Sequence, residues 1–260
     1  MKTMLIRSLG CFFLSVSVLI AACSDSTPSQ APEAAVTSAA TPSAPQVIWP
    51  PLPRHGQDIV LFEEGIDILA PSIYFVLDAS GSMSDAACGS KDAKLAIAKK
   101  AIQEVFATLG PDIKLGLAVF NGPTIKELVS LGNGPENRQA FMQAIQGVRA
   151  GGGTPLKSAI RHAYGKINAF AQRQLGYGAY YRLAIVTDGD PDMSEDPRGI
   201  VDQIFNESPV DVMTIGFCIG ATHALNQPGK TTYVEASDFE SLRKGLRTVL
   251  AEAPGYSDVK

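Results

Sequence analysis

The sequence predicts an α/β fold: a mostly parallel central sheet with one antiparallel edge strand and helices on both faces. Three observations predict it. Ser72-Ile73-Tyr74-Phe75-Val76-Leu77 and Val210 to Phe217 are nearly unbroken apolar runs, the composition of strands buried on both faces. Such runs alternate along the chain with segments of helical period, as in sheets built from parallel crossovers. Two of the runs end in an acid, at Asp78 and at Asp188, and the carboxyl edge of an open α/β sheet is where ligands bind.

The elements follow in order. After the turn at Asp78, Lys91 to Leu109 places Leu95, Ala98, Ile102, Val105, Phe106 and Leu109 at helical spacing, ended by Gly110-Pro111. Lys114 to Phe120 reads as a strand. The turn Asn121-Gly122-Pro123 leads to an edge strand at Lys126 to Leu131. Helices are expected at Glu136 to Val148 and at Pro155 to Arg173, the second opened by a proline suited to a helix start. Leu183 to Thr187 is a strand and Gly199 to Phe205 a helix. Val210 to Phe217 and Thr232 to Glu235 are the last strands, and Asp238 caps a terminal helix running to about Glu252. Ile59 to Leu69 fits an added edge strand or a hairpin. No internal repeat is visible.

A chain of 260 residues holds one such domain of about 200 residues together with attachments. Residues 1–22 read as a signal peptide: Lys2 and Arg7 precede the apolar stretch Ser8 to Ile20, which is too short for a comfortable membrane span. Ile20-Ala21-Ala22-Cys23 resembles a bacterial lipoprotein signal, with cleavage before Cys23 and acylation of its thiol; a non-lipidated secretory signal is the alternative. Lipid on Cys23 would anchor the mature protein to a membrane without spanning it. Residues 23–53 are dense in Pro, Ala, Ser and Thr, with too little apolar bulk for a core, and read as a tether. Residues 54–260 form the domain. Ser24, after the lipidated cysteine, resembles the outer-membrane sorting pattern of enteric lipoproteins, and Asp25 lies one place too late for inner-membrane retention. The expected location is the bacterial cell envelope, at the outer membrane rather than the inner, facing the periplasm or the outside.

The formal charge is −4, and loss of Lys2 and Arg7 would bring it to about −6. There is no basic stripe with interleaved aromatics, which argues against nucleic acid as a partner. His55, His162 and His223 lack ligand spacing and read as surface or loop residues rather than zinc ligands. Once Cys11 leaves with the signal and Cys23 takes lipid, the domain keeps Cys88 and Cys218. Both fall at the same rim of the predicted sheet, and an oxidising compartment permits a disulfide between them. Two separate buried thiols are the alternative.

The chemistry concentrates in Asp78-Ala79-Ser80-Gly81-Ser82-Met83. D-x-S-x-S brings a carboxylate and two hydroxyls round one tight turn, and convergent hard oxygens suit a hard cation such as Mg²⁺. Gly151-Gly152-Gly153-Thr154-Pro155-Leu156 adds a hydroxyl on a flexible turn, and Thr187-Asp188-Gly189 adds a second acid. D-x-S-x-S, then GGGT, then an apolar strand ending TDG, in this order, resembles the von Willebrand factor type A family over roughly residues 58 to 252. The resemblance implies a Rossmann-like fold and a metal-ion-dependent adhesion site. It makes Asp78, Ser80, Ser82, Thr154 and Asp188 the shell of a divalent cation, Mg²⁺ first and Mn²⁺ or Ca²⁺ as alternatives. Asp78 and Asp188 would supply charge, and the three hydroxyls neutral oxygen.

The implied function is protein binding in adhesion or assembly: an Asp or Glu from a partner completes the coordination of the ion. Ser84 to Ser90, Asn121 to Thr124, Gly189 to Pro197 and Gly220 to Gly229 are the loops placed to set specificity. Two other readings compete with it. One is a structural envelope scaffold with metal-independent binding. The other is a metal-dependent phosphatase of the haloacid-dehalogenase type, against which Ser80 stands where the second acid of D-x-D would be needed. Asp190 and Asp192 read as solvated or helix-capping acids. Nothing in the sequence specifies an oligomeric state.

Overall fold

The apolar runs become the middle of a six-stranded sheet of order β3-β2-β1-β4-β5-β6. These are β1 (Ser72–Asp78), β2 (Lys114–Phe120), β3 (Ile125–Gly132), β4 (Tyr181–Thr187), β5 (Val210–Phe217) and β6 (Thr231–Ala236). The structure is a computed structural model that describes Trp49, residues 70–174 and residues 180–251. The signal segment, Cys23, His55 and Ile59 to Leu69 lie outside the described residues. All pairs are parallel except β2 with β3, the antiparallel edge that the sequence predicts. Every residue of β1, β2 and β4 is buried, which is why their sequences lack the alternation of a one-sided strand. In contrast β3 alternates between exposed and covered positions, as an edge strand must.

The helices are α1 (Lys94–Phe106), α2 (Gly134–Gly147), α3 (Leu156–Arg173), α4 (Arg198–Glu207) and α5 (Phe239–Ala251). Period two in β1 divides the core. Ile73, Phe75 and Leu77 pack with α1, α2 and α5, whereas Tyr74 and Val76 pack with α3 and α4. On the first face Phe75 meets Phe106 edge-on at 4.8 Å, and Phe106 stacks on Phe141 at 4.5 Å. On the second, Trp49, placed by the sequence in the tether, lies edge-on to Tyr181 at 5.6 Å.

Two boundaries show how local chemistry sets the elements. Asp238 accepts the Ser241 amide at 2.7 Å and so caps α5, and these hydrogen bonds hold its carboxyl below the usual range. The first helix begins at Lys94 rather than Lys91. The residues before it form a closed loop, with an Ala86–Ala93 bridge and the Ala87 amide donating to Asp92 O at 2.8 Å. Adjacent β1 and β4 send their following helices, α1 and α4, to opposite faces of the sheet. The carboxyl ends of β1 and β4 therefore flank a topological switch point, the crevice where such sheets take ligands.

Candidate metal centre

Asp78 ends β1 inside this crevice and is fully buried. Its Oδ1 accepts the Ser80 amide at 2.7 Å and its Oδ2 accepts the Thr187 hydroxyl at 2.6 Å. Burial pushes its pKa up to about 6, the bonds from Ser80 and Thr187 pull the other way, and the charge of Asp188 adds to the rise. No ion pair to Asp78 occurs among the described residues.

The chain then turns through a short 3-10 segment, Gly81–Ser84, which swings two hydroxyls back over the strand end. The Oγ atoms of Ser80 and Ser82 are 3.1 Å apart, and Ser82 Oγ donates to Asp188 Oδ1 at 2.9 Å. Oxygens held about 2.1 Å from one octahedral Mg²⁺ lie about 3 Å from their neighbours, so this spacing fits such an ion. Among the described residues no three His, Cys, Asp or Glu side chains gather as a metal site. The donors here are two carboxylates and hydroxyls, a set suited to hard cations and poorly suited to zinc.

Thr154 reaches this edge through its turn. The Gly81 amide donates to Gly152 O at 2.9 Å and the Gly151 amide to Ala79 O at 2.8 Å. Glycine at position 152 is required twice over: φ is +75°, and a Cβ would lie 2.5 Å from the Gly122 Cα. The structure thus brings the turns bearing all five predicted residues together, with Asp78, Thr154 and Asp188 each buried.

Four further residues shape the site, and none of them is among the site residues that the sequence implied. Asp192 is exposed, yet its Oδ2 accepts the Thr154 amide at 2.8 Å and its own amide donates to Thr154 O at 3.0 Å. It is a clamp on the threonine turn rather than a merely solvated acid. Glu195 takes the Ser158 amide at 2.8 Å and hydroxyl at 2.9 Å, fastening the same loop to the first turn of α3. Removing the clamp in Asp192→Ala should cost about 1–2 kcal/mol of stability and lower cation affinity severalfold, as thermal melts and calorimetry would show. Unchanged affinity would mean that the Thr154 turn holds its shape without Asp192.

His223 lies in a loop, as expected, but it is buried rather than at the surface. Its Nδ1 accepts the Leu225 amide at 3.2 Å, which leaves the proton on Nε2 to donate to Gly189 O at 3.0 Å. Burial pushes the imidazole pKa down. The 220–229 segment is thereby pinned to the turn that follows Asp188. The fourth residue, Lys94, places Nζ 2.7 Å from Asp188 Oδ2, and the Asp188 side chain is fully buried. One signal could have found it: a lysine at the first position of a helix opposes the helix dipole and so calls for a nearby anion.

Cys88 and Cys218 form a disulfide with Cα atoms 5.7 Å apart. It ties the loop that follows the serine turn to the end of β5. Separate thiols, the alternative left open by the sequence, are not what the structure contains.

Comparison with known proteins agrees with this architecture. Human inter-alpha-trypsin inhibitor heavy chain H4 is 28% identical over 160 residues, covering 60% of this chain and 16% of that protein. The chain thus spans about a sixth of the curated relatives it matches, with the mouse heavy chain 4 covered to 17%. Among solved structures, the PilB minor pilin from Streptococcus sanguinis superposes with a TM-score of 0.58 at 15% identity, over 71% of this chain and 61% of that one. The pilus adhesin SpaC from Lactobacillus rhamnosus GG gives 0.56 at 14% identity, over 75% and 32%. These likenesses bear on the fold. The family model of the von Willebrand factor type A domain matches residues 72–247, from the start of β1 into α5, and the chain belongs to that family.

Proposed function

We propose that this domain is a protein-binding module of the adhesion or assembly kind that works through a divalent cation. The observation that carries the reading is Asp78. A buried carboxylate without an ion-pair partner among the described residues stands beside hydroxyl and carboxylate oxygens spaced about as the edges of an Mg²⁺ octahedron. Asp78, Ser80, Ser82, Thr154 and Asp188 would hold the ion, Mg²⁺ in first place and Mn²⁺ or Ca²⁺ on the same donors. When bound, the ion supplies an electrophilic centre that can accept an Asp or Glu carboxylate from a partner protein. The chain's own loops then decide which partner fits. The segments 189–197 and 220–229 are fastened to each other through His223 and to the site through Asp192, so they present a fixed rim.

Two of the fold's likenesses carry names from adhesive surface structures, a pilus adhesin and a minor pilin, which supports the same class of work. Binding is favoured over catalysis because Ser80 occupies the place where a phosphatase of this strand topology would need its acid. We place the domain at a bacterial envelope, carried on lipid at Cys23 and a tether to residue 53, at the outer membrane rather than the inner.

Titration of Mg²⁺ and Mn²⁺ into the full chain by calorimetry and thermal shift tests the central claim. Saturable binding with a rise in melting temperature is expected. A well-folded protein that takes up neither ion overturns the reading. The scaffold reading would replace it, and one observation favours that reading: Lys94 already gives Asp188 a counter-charge without any metal.

A further inference from the structure

Lys94 stands in an unusual place for a cation. It opens α1, where the helix dipole is positive, and its ammonium lies 2.7 Å from Asp188 in a position only 14% exposed. Asp188 has two carboxylate oxygens with different partners: Ser82 on Oδ1 and Lys94 on Oδ2. A cation bound through Asp188 would therefore share its carboxylate with the lysine. Water is largely excluded there, and any such ion would sit well inside the screening length of physiological salt, about 8 Å.

We infer that Lys94 is a built-in counter-ion of the centre, which weakens its hold on a divalent cation and leaves the loaded centre positively charged and in need of an external carboxylate. This rests on the cation-binding reading above and adds to it the residue that sets the charge. The bookkeeping is simple. Two carboxylates and one ammonium leave a single negative charge, which a divalent ion converts to a single positive one. Without the ammonium the loaded centre would be neutral, and an incoming anion would have much less to gain. One lysine thus makes the loaded centre more demanding of an anion than its two carboxylates alone would leave it. The same lysine stabilises the empty centre, because it gives the buried Asp188 carboxylate a counter-charge.

The test compares the full-length wild type with Lys94→Gln and Lys94→Arg. Gln keeps a hydrogen-bond donor for Asp188 and removes the charge, whereas Arg keeps the charge. Titrated with Mn²⁺ alone, Lys94→Gln should bind about tenfold tighter or more than the wild type, with Lys94→Arg within about threefold of it. The cation-induced rise in melting temperature should be larger in Lys94→Gln, since its metal-free form has lost the ion pair. With the Mn²⁺ sites filled, acetate serves as the smallest carboxylate probe and is followed by the fall in water-proton relaxation as it displaces bound water. Its half-effect concentration should rise severalfold in Lys94→Gln. If wild type and Lys94→Gln bind Mn²⁺ equally, or Gln leaves the acetate response unchanged, the inference fails and the cation reading stands. If neither protein binds Mn²⁺, both fall together. If only Lys94→Gln binds, the lysine fills the ion's place in the wild type, and the inference falls together with the cation reading.

Discussion

Without divalent cation at neutral pH, Asp78→Asn should melt above the wild type by about 5–10 °C, and it should take up no Mg²⁺. The first half follows from the buried charge. The Asp78 pKa is raised from 3.8 in the free side chain to about 6 in the fold, mainly by burial. A raised carboxyl pKa means that the fold prefers the protonated form. This group's contribution to stability is therefore fully present below about pH 4 and lost as the pH climbs through 6. At neutral pH the loss amounts to about 2–3 kcal/mol, which the neutral amide recovers. Asn can keep both hydrogen bonds: its oxygen accepts the Ser80 amide, and its nitrogen donates to a Thr187 hydroxyl turned toward Gly189 O, 3.4 Å away. The second half follows because the amide gives up the charge that a cation would need. Melts from pH 4 to pH 8 in chelator decide the matter. The gain should vanish toward pH 4, and a variant that melts below the wild type at pH 7 would show that Asp78 is stabilised by something other than protonation. The residue trades stability of the empty domain for the ability to bind.

Breaking the disulfide should cost more. Cys88 and Cys218 are 130 positions apart, and a cross-link of that span lowers the entropy of the unfolded chain by an amount worth about 5 kcal/mol on the chain-entropy model. Cys88→Ala/Cys218→Ala should melt about 10–20 °C lower. Reductant should bring the wild type to the same temperature and leave the variant unmoved. A wild type indifferent to reductant would show that the bond contributes little, because the loop at Cys88 is already fixed by the Ala86–Ala93 bridge and by its hydrogen bonds.

The fold and the centre differed in how far the sequence disclosed them. β2 and β5 have the bounds read from sequence, Lys114–Phe120 and Val210–Phe217, because strands covered on both faces over most of their length are largely apolar and are bounded by turn residues. The start of α1 was misplaced by three residues, since Lys91 to Ala93 have helical composition but belong to the loop that carries the cysteine. At the site, residues tied to a strand end or a glycine turn were legible: the turns that carry Asp78, Ser80, Ser82, Thr154 and Asp188 lie at one edge of the sheet. The residues that brace them were not. Asp192, Glu195 and His223 act by reaching a backbone group 34 to 38 positions away, and no local spacing encodes a loop–loop contact of that kind. Trp49, with composition all around it typical of a tether, packs on Tyr164 and Tyr181 by contacts still more distant in sequence.

The pairing of β1 with β4 has a consequence in time. Leu77 and Val186 are register partners, and Asp78 receives its Thr187 hydrogen bond from 109 positions away. β1 emerges from synthesis long before β4, and the strand that will flank it on that side cannot dock until the whole intervening stretch has been made and closed into a loop. Contacts of such long range are the slow ones in folding. The half of the sheet holding β1, β2 and β3 can assemble from nearer neighbours while the end of β1 is still open to water and Asp78 is still hydrated. Only when β4 arrives does the carboxylate lose its water. The centre therefore closes after the first half of the sheet, and the cost of burying its charge falls once β1, β2 and β3 can already have met.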